Sequence, residues 1–139
     1  MNHVAIVGVG QTHHQRRRAD VNVPGLVREA ALRALADANL TMDDIDSVVV
    51  ASGPVLFAAV NQPEKWVVDA LGARGKPVVR ITSGGGTGFA GALAGYYQVS
   101  GGFAKRVLVV AYDKLSEGAL QYSISSLYDP FWGREFAVG

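Results

Sequence analysis

A chain of 139 residues with 49% hydrophobic and 18% charged side chains is of single-domain size and apolar enough to bury a core. Its 13 basic and 12 acidic groups leave a formal charge of +1, which excludes an overall field that would draw nucleic acid or an anionic membrane. The lack of any cysteine excludes disulfides, thiolate metal sites and a cysteine nucleophile together.

The N-terminus has no basic segment ahead of a long apolar run, and no window reaches the length of a membrane span, so a soluble, cytoplasmic protein is expected. Val4 to Val9 is a short, mostly β-branched run ending in Gly8 and Gly10, and it reads as a strand buried on both faces. The basic run His13-His14-Gln15-Arg16-Arg17-Arg18 falls in the polar stretch that continues to about Val23 and reads as a solvated loop. From Pro24, the residues Leu26, Val27, Ala30, Ala31, Ala34, Leu35 and Ala38 recur at helical spacing, with Asn22 as the cap. Asp43, Asp44 and Asp46 form a turn-and-cap pattern, not a metal cluster.

Ser47 to Ala51 is a second buried strand, and Pro63 to Leu71 a shorter helix that begins with its proline and stops at Gly72. Pro77 to Ile81 is a third strand, Gly86 to Val99 a long helix closed by Gly101-Gly102, and Arg106 to Tyr112 a fourth strand. Alternating strands and helices imply an α/β fold, a mostly parallel sheet with helices on both faces. The small residues Ala90, Gly91, Ala92, Ala94 and Gly95 imply an interior helix packed closely on more than one side. Residues 1–112 thus form one α/β core. Residues 113–139 carry Tyr122, Tyr128, Phe131, Trp132 and Phe136 without a clean period and read as the start of a loop region that a downstream half or a partner completes.

Gly8 and Gly10 after a strand begin like a dinucleotide fingerprint, but the third glycine position is His13 and the next helix starts only near Pro24. The tight exit of a strand is the better reading. "TSGGGTG", residues 82–88, joins a strand to a helix N-terminus, where unpaired N–H groups and the positive end of the dipole favour an anion or an oxyanion. Gly84, Gly85 and Gly86 either let a substrate approach the backbone or let the helix pack against its neighbours, and spacing alone leaves both open. Ser83 as a nucleophile needs a base, and the only histidines are His3, His13 and His14, in the first strand and the following loop. Tyr112 and Asp113 fall on the sheet edge where open α/β folds place ligands, with packing and capping as their plainer roles.

Taken together, "VAIVGVGQT", "EAALRALADANLTMDDIDSVVVAS", "ITSGGGTGFAGALAGYYQVSGGFAKRVLVVAYDKLSEG" and "DPFWGREFAVG" resemble the N-terminal half of the thiolase superfamily. The branch they resemble is that of the sterol-carrier-protein thiolases, also called lipid-transfer proteins. The resemblance implies action on acyl-CoA thioesters, with coenzyme A as part of the substrate and no other cofactor, and a homodimer. It places Ser83 where the family carries its acyl-accepting cysteine, with Gly84, Gly85 and Gly86 at the substrate. The family's histidine and second cysteine come from a C-terminal half. Relatives that lack the cysteine are implied to be retro-aldolases of lipid and steroid side-chain degradation, paired with a small OB-fold partner. Ordinary acyl transfer and a non-catalytic scaffold subunit are the alternatives.

Overall fold

The computed structural model of the chain describes residues 2–53 and 62–117. Six regular elements alternate: α1 (Val23–Asp37), β1 (Ser47–Ser52), α2 (Glu64–Leu71), β2 (Val78–Ile81), α3 (Thr87–Ser100) and β3 (Val107–Tyr112). β1 lies between β2 and β3 and runs parallel to both. Val48 is level with Val78 and Leu108, and Ala51 with Ile81 and Ala111.

This register sorts the side chains by face, because successive residues of a strand point to opposite sides. Val48, Val50, Leu108 and Val110 form the core with Val27, Ala31 and Leu35 of α1 and Val67 and Leu71 of α2. Ala51, Val107 and Val109 meet α3 on the other side. Every residue of β1 is buried, as a central parallel strand covered on both faces requires. The expected α/β architecture, helices on both faces of a parallel sheet, is the one found.

Local signals place most of the boundaries. The Asn22 side chain accepts the Gly25 N–H at 2.9 Å and starts α1. Gly72 ends α2 in the left-handed region at φ 70°, while Pro63 stands at the cap position of that helix instead of in its first turn. The acidic turn behaves as a cap pattern. Asp44 accepts the N–H and the hydroxyl of Thr41 at 2.8 and 2.9 Å, and Asp46 accepts the N–H groups of Lys105 and Arg106, each at 2.9 Å. Among the described residues no group of three acidic or histidine side chains is arranged to hold a metal, and no helix is long and apolar enough to cross a membrane.

Two expectations are corrected. Val4 to Val9 does not form a strand: among the described residues the segment bonds to no neighbour in the sheet, and Ile6, Val7 and Val9 are 87%, 66% and 69% exposed. It lies along α1 instead, with Gly8 against Ala34 and Ala38 and Gly10 against Ala30 and Ala34. The missing side chains at these two glycines let the backbone reach the alanine-rich face of the helix, an alternative to the sheet that hydrophobic pattern alone does not reveal. The Val9 N–H donates to the Asp37 carboxylate at 2.9 Å and fixes this course. Nor is α3 enclosed on every side. It presses Gly91 and Gly95 onto the sheet, yet among the described residues Phe89 and Tyr97 stay 72% and 61% exposed. The five aromatics beyond residue 117, and with them most of the expected loop region, lie outside the described residues.

A Cβ at Gly91 would stand 2.6 Å from the Ala51 Cβ, and one at Gly95 the same distance from a Val109 methyl. Gly91→Val and Gly95→Val are therefore each expected to lower stability by about 1–3 kcal/mol. Gly85→Ala, with no atom within 4 Å of the added carbon, should change it by less than about 0.5 kcal/mol. Urea midpoints of the three variants check the contrast.

Candidate functional site

β2 ends at Ile81 and α3 begins at Thr87, and residues 82–86 make the turn between them. One threonine fastens it. Thr87 is 5% exposed; its Oγ1 accepts the Ser83 N–H at 2.8 Å and donates to the Gly84 carbonyl at 2.7 Å. The Gly86 N–H donates to the Ser83 carbonyl at 3.1 Å and closes a tight turn, in which Gly84 takes φ 53°. Sequence reasoning did not single out Thr87. Its signal is a hydroxyl residue in the first helical turn, four positions beyond the residue whose amide it caps.

Ser83, Gly84, Gly85 and Gly86 are all exposed. A Cβ at Gly84, Gly85 or Gly88 would meet nothing within 4 Å, and at Gly86 only the Ser83 hydroxyl at 3.9 Å. Close packing of the helix thus belongs to Gly91 and Gly95, and among the described residues nothing packs against the junction glycines Gly84 and Gly85. Ser83 stands at the positive end of a helix of 14 residues, whose first N–H, that of Thr87, donates to the Gly84 carbonyl.

The strand ends beside this junction are tied together through one peptide. The Gly53 N–H donates to Asp113 at 2.9 Å, and Arg80 donates to the Gly53 carbonyl at 3.4 Å, so the exits of β1, β2 and β3 share it. Arg80 also faces Glu64 at 3.6 Å. Burial pushes the Asp113 carboxyl above its ordinary range, partly opposed by the Gly53 amide. Burial likewise raises the Tyr112 phenol, with the Ser52 hydroxyl opposing. Both residues lie on the carboxyl edge of the sheet, as expected, and Asp113 acts there as a clamp.

No base is brought to Ser83 by the histidines. His3, His13 and His14 are exposed, and all three line a cavity beside β3 whose walls do not include Ser83. His14 Nδ1 is 2.9 Å from the Gln11 amide nitrogen. The basic run is less free than a solvated loop. Arg18 pairs with Asp20 and Glu29, each at 2.9 Å, and Arg33 pairs with Glu29 at 2.8 Å. Lys114, missed in the sequence, is 7% exposed and donates to the Val21 carbonyl at 2.6 Å, anchoring the end of this loop. Gly8 and Gly10 have no helix N-terminus beside them for a phosphate, because α1 starts only at Val23.

No family model matches the chain. Among solved structures, a 3-oxoacyl-[acyl-carrier-protein] synthase III from Aquifex aeolicus superposes with a TM-score of 0.62 at 24% identity, over 74% of this chain and 33% of that one. A priming β-ketosynthase from a polyketide biosynthetic pathway does so with a TM-score of 0.67 at 20% identity, over 84% and 45%. The fold is thiolase-like. Human sterol carrier protein 2 is 28% identical over 127 residues, which are 90% of this chain and 23% of the relative. A β-ketoacyl-[acyl-carrier-protein] synthase III of Mycobacteroides abscessus is 40% identical over 93 residues, 66% of this chain and 26% of the relative. This thiolase-like chain thus spans about a quarter of the length of these curated relatives.

The raised Asp113 carboxyl yields a pH prediction. Because its value in the folded chain lies above the ordinary 3.8, its contribution to stability is full below pH 3.8 and is lost as pH rises through the raised value. Asp46 works in the opposite sense: the amides of Arg106 and Lys105 hold it below 3.8, and its contribution is lost as pH falls beneath that. Asp113→Asn keeps an acceptor for Gly53 and removes only the first effect. Relative to the native chain its stability should rise as pH increases above 3.8 and then level off, measured as urea midpoints across the acid range. A difference independent of pH would contradict the assignment.

Proposed function

We propose that this chain is part of an enzyme acting on an acyl thioester of coenzyme A, cleaving a carbon–carbon bond by a retro-aldol reaction in lipid or steroid side-chain degradation. The observation that carries the reading is the open glycine junction: Ser83 to Gly86 lie exposed at the N-terminus of α3 with free space above Gly84 and Gly85. The relatives named as acyl-carrier-protein synthases handle acyl groups, which supports an acyl thioester as the substrate class.

In this reading the Ser83 hydroxyl and the positive end of α3 hold the thioester carbonyl oxygen. A base takes the proton from the β-hydroxyl group, the bond between the α and β carbons breaks, and its electron pair passes to the thioester as an enolate. The helix end stabilises the charge on the enolate oxygen, and protonation at the α carbon releases the shortened thioester with an aldehyde or ketone. The base is supplied from outside the described residues, by a downstream half or by a small OB-fold partner, within a homodimeric assembly in the cytoplasm. A serine hydroxyl in place of a thiol supports cleavage over acyl transfer, since it stays protonated at neutral pH where a thiol at a helix end ionises.

One observation favours a second reading. No histidine stands at Ser83 among the described residues, which also suits a thiolase-like scaffold subunit whose partner carries the chemistry.

The assembled protein, with any chains that co-purify, should bind acyl-CoA and release a shortened acyl-CoA with a carbonyl product, detected by mass spectrometry. Ser83→Ala is expected to lower turnover roughly tenfold to a hundredfold, the scale of losing one oxyanion donor. Unchanged turnover would turn the assignment to the scaffold. Failure to bind any acyl-CoA would reject both the lyase and the acyltransferase.

A further inference from the structure

Four polar side-chain atoms shut off from solvent have no hydrogen-bond partner among the described residues: Ser52 Oγ, Tyr112 Oη, Arg80 Nε and Glu64 Oε2. Register gathers them at one place. Ser52 is level with Tyr112 at the ends of β1 and β3, and Arg80 of β2 is level with Val50. Side chains alternate along a strand, so all three point to the face that carries Val48, Val50, Leu108 and Val110. Glu64, the first residue of α2, lies on the same side of that helix as Val67 and Leu71, which pack on this face, and turns toward it too. The place is the carboxyl end of the core beneath α2, on the side of the sheet away from α3.

The groups meet without completing one another. Arg80 Nη1 and Glu64 Oε2 are 3.6 Å apart, beyond hydrogen-bond length, and Arg80 gives Nη2 to the Gly53 carbonyl. Ser52, Arg80 and Glu64 all lie near enough to act on the Tyr112 phenol, yet neither its oxygen nor that of Ser52 has a partner in bonding geometry. Ser52 is 3% exposed, so bulk solvent does not serve its hydroxyl. Polar atoms left in this way are unfavourable, and native chains pair nearly all of them with protein or with ordered water. The chemistry of the four decides the class of ligand. The Arg80 N–H only donates and the Glu64 carboxylate oxygen only accepts, while the two hydroxyls do either. A molecule with two donor hydrogens and two acceptor sites matches the set: it accepts from Arg80 and one hydroxyl, and donates to Glu64 and the other. The charges of Arg80 and Glu64 offset each other, which leaves no net attraction for an ion.

We propose that Ser52, Arg80, Tyr112 and Glu64 form a binding site for one buried water molecule, which joins α2 to β1, β2 and β3. Water is the smallest molecule with the required donors and acceptors, and a buried water typically makes about three such bonds. The site adjoins the Gly53 peptide, because Arg80 serves both: Nη2 holds the Gly53 carbonyl and Nε the water. The tie among the strand exits thus continues from the backbone of Gly53 into the side chains below it, and through Glu64 into the first turn of α2.

Crystal structures of the full chain, at a resolution that shows ordered water, test this. The native chain is expected to hold one solvent peak within about 2.5–3.2 Å of at least three of the four atoms. Tyr112→Phe should keep that peak on Ser52, Arg80 and Glu64, and the double variant Ser52→Ala, Tyr112→Phe should lose it. A protein group in that place, direct bonds among the four side chains, a peak whose strength or contact distances mark an ion, or one touching fewer than three of the atoms would overturn the proposal. So would a peak unchanged in the double variant. The native structure decides by itself if the double variant does not fold.

Discussion

The close approach of α3 to the sheet is the constraint on which the candidate site depends. Without side chains at Gly91 and Gly95 the helix axis descends onto Ala51 and Val109, and a single Cβ at either position would stand 2.6 Å from its neighbour. Interiors pack too densely to absorb such an intrusion without moving the helix. Where the helix lies fixes where its N-terminus points. Ser83 to Gly86 therefore owe their position to two glycines five and more residues downstream, and Thr87 completes the arrangement by joining the turn to the first helical residue.

The chain thus uses glycine for two opposite purposes within one stretch. At Gly91 and Gly95 it removes volume so that elements touch, and at Gly84 and Gly85 no described atom would meet an added side chain. The same edge shows a third economy. Gly53 gives its N–H to Asp113 and accepts from Arg80 at its carbonyl, so three strand exits are held through one peptide. Such a tied set of strand ends is the floor that a parallel sheet offers a ligand at its carboxyl edge.

What the sequence revealed of this follows from range. The cap at Asn22, the stop at Gly72, the acidic turn and the buried run of β1 are decided within a few residues, and each is where the local pattern puts it. The clamp from Asp113 to Gly53 spans 60 residues and the bond from Lys114 to Val21 spans 93, and no local pattern encodes either. Arg18 shows the same limit, since its partner Glu29 lies a loop and half a helix away. Val4 to Val9 is the instructive miss. Periodicity says that such a run is to be covered but not by what, and here the alanine face of α1 takes the backbone. Ser83 was legible as a candidate because a serine between a β-branched run and glycines is a local signal, whereas its distance from every histidine of the described chain depends on the whole topology.

The magnitude of the helix effect decides what kind of chemistry this junction can support. A helix terminus contributes about 0.3–1 kcal/mol to a nearby charge, and up to about 2 kcal/mol when partly buried. At 1.36 kcal/mol per pKa unit, that moves a group by about one and a half units at most. A thiol starting near about 8.5 is brought to neutrality by such a shift, and a serine hydroxyl is not. With no histidine of the described residues at Ser83, the helix end alone does not make a nucleophile of this side chain. It can, however, stabilise negative charge that arises on a bound molecule, because that charge forms beside the positive end of a helix already held in place by the turn that Thr87 fastens. A carbonyl oxygen that becomes an enolate gains this stabilisation without any ionisation of the protein. A hydroxyl at this junction therefore lacks the function a thiol would have there, while the helix end keeps the other, and the proposed lyase needs only the one that remains.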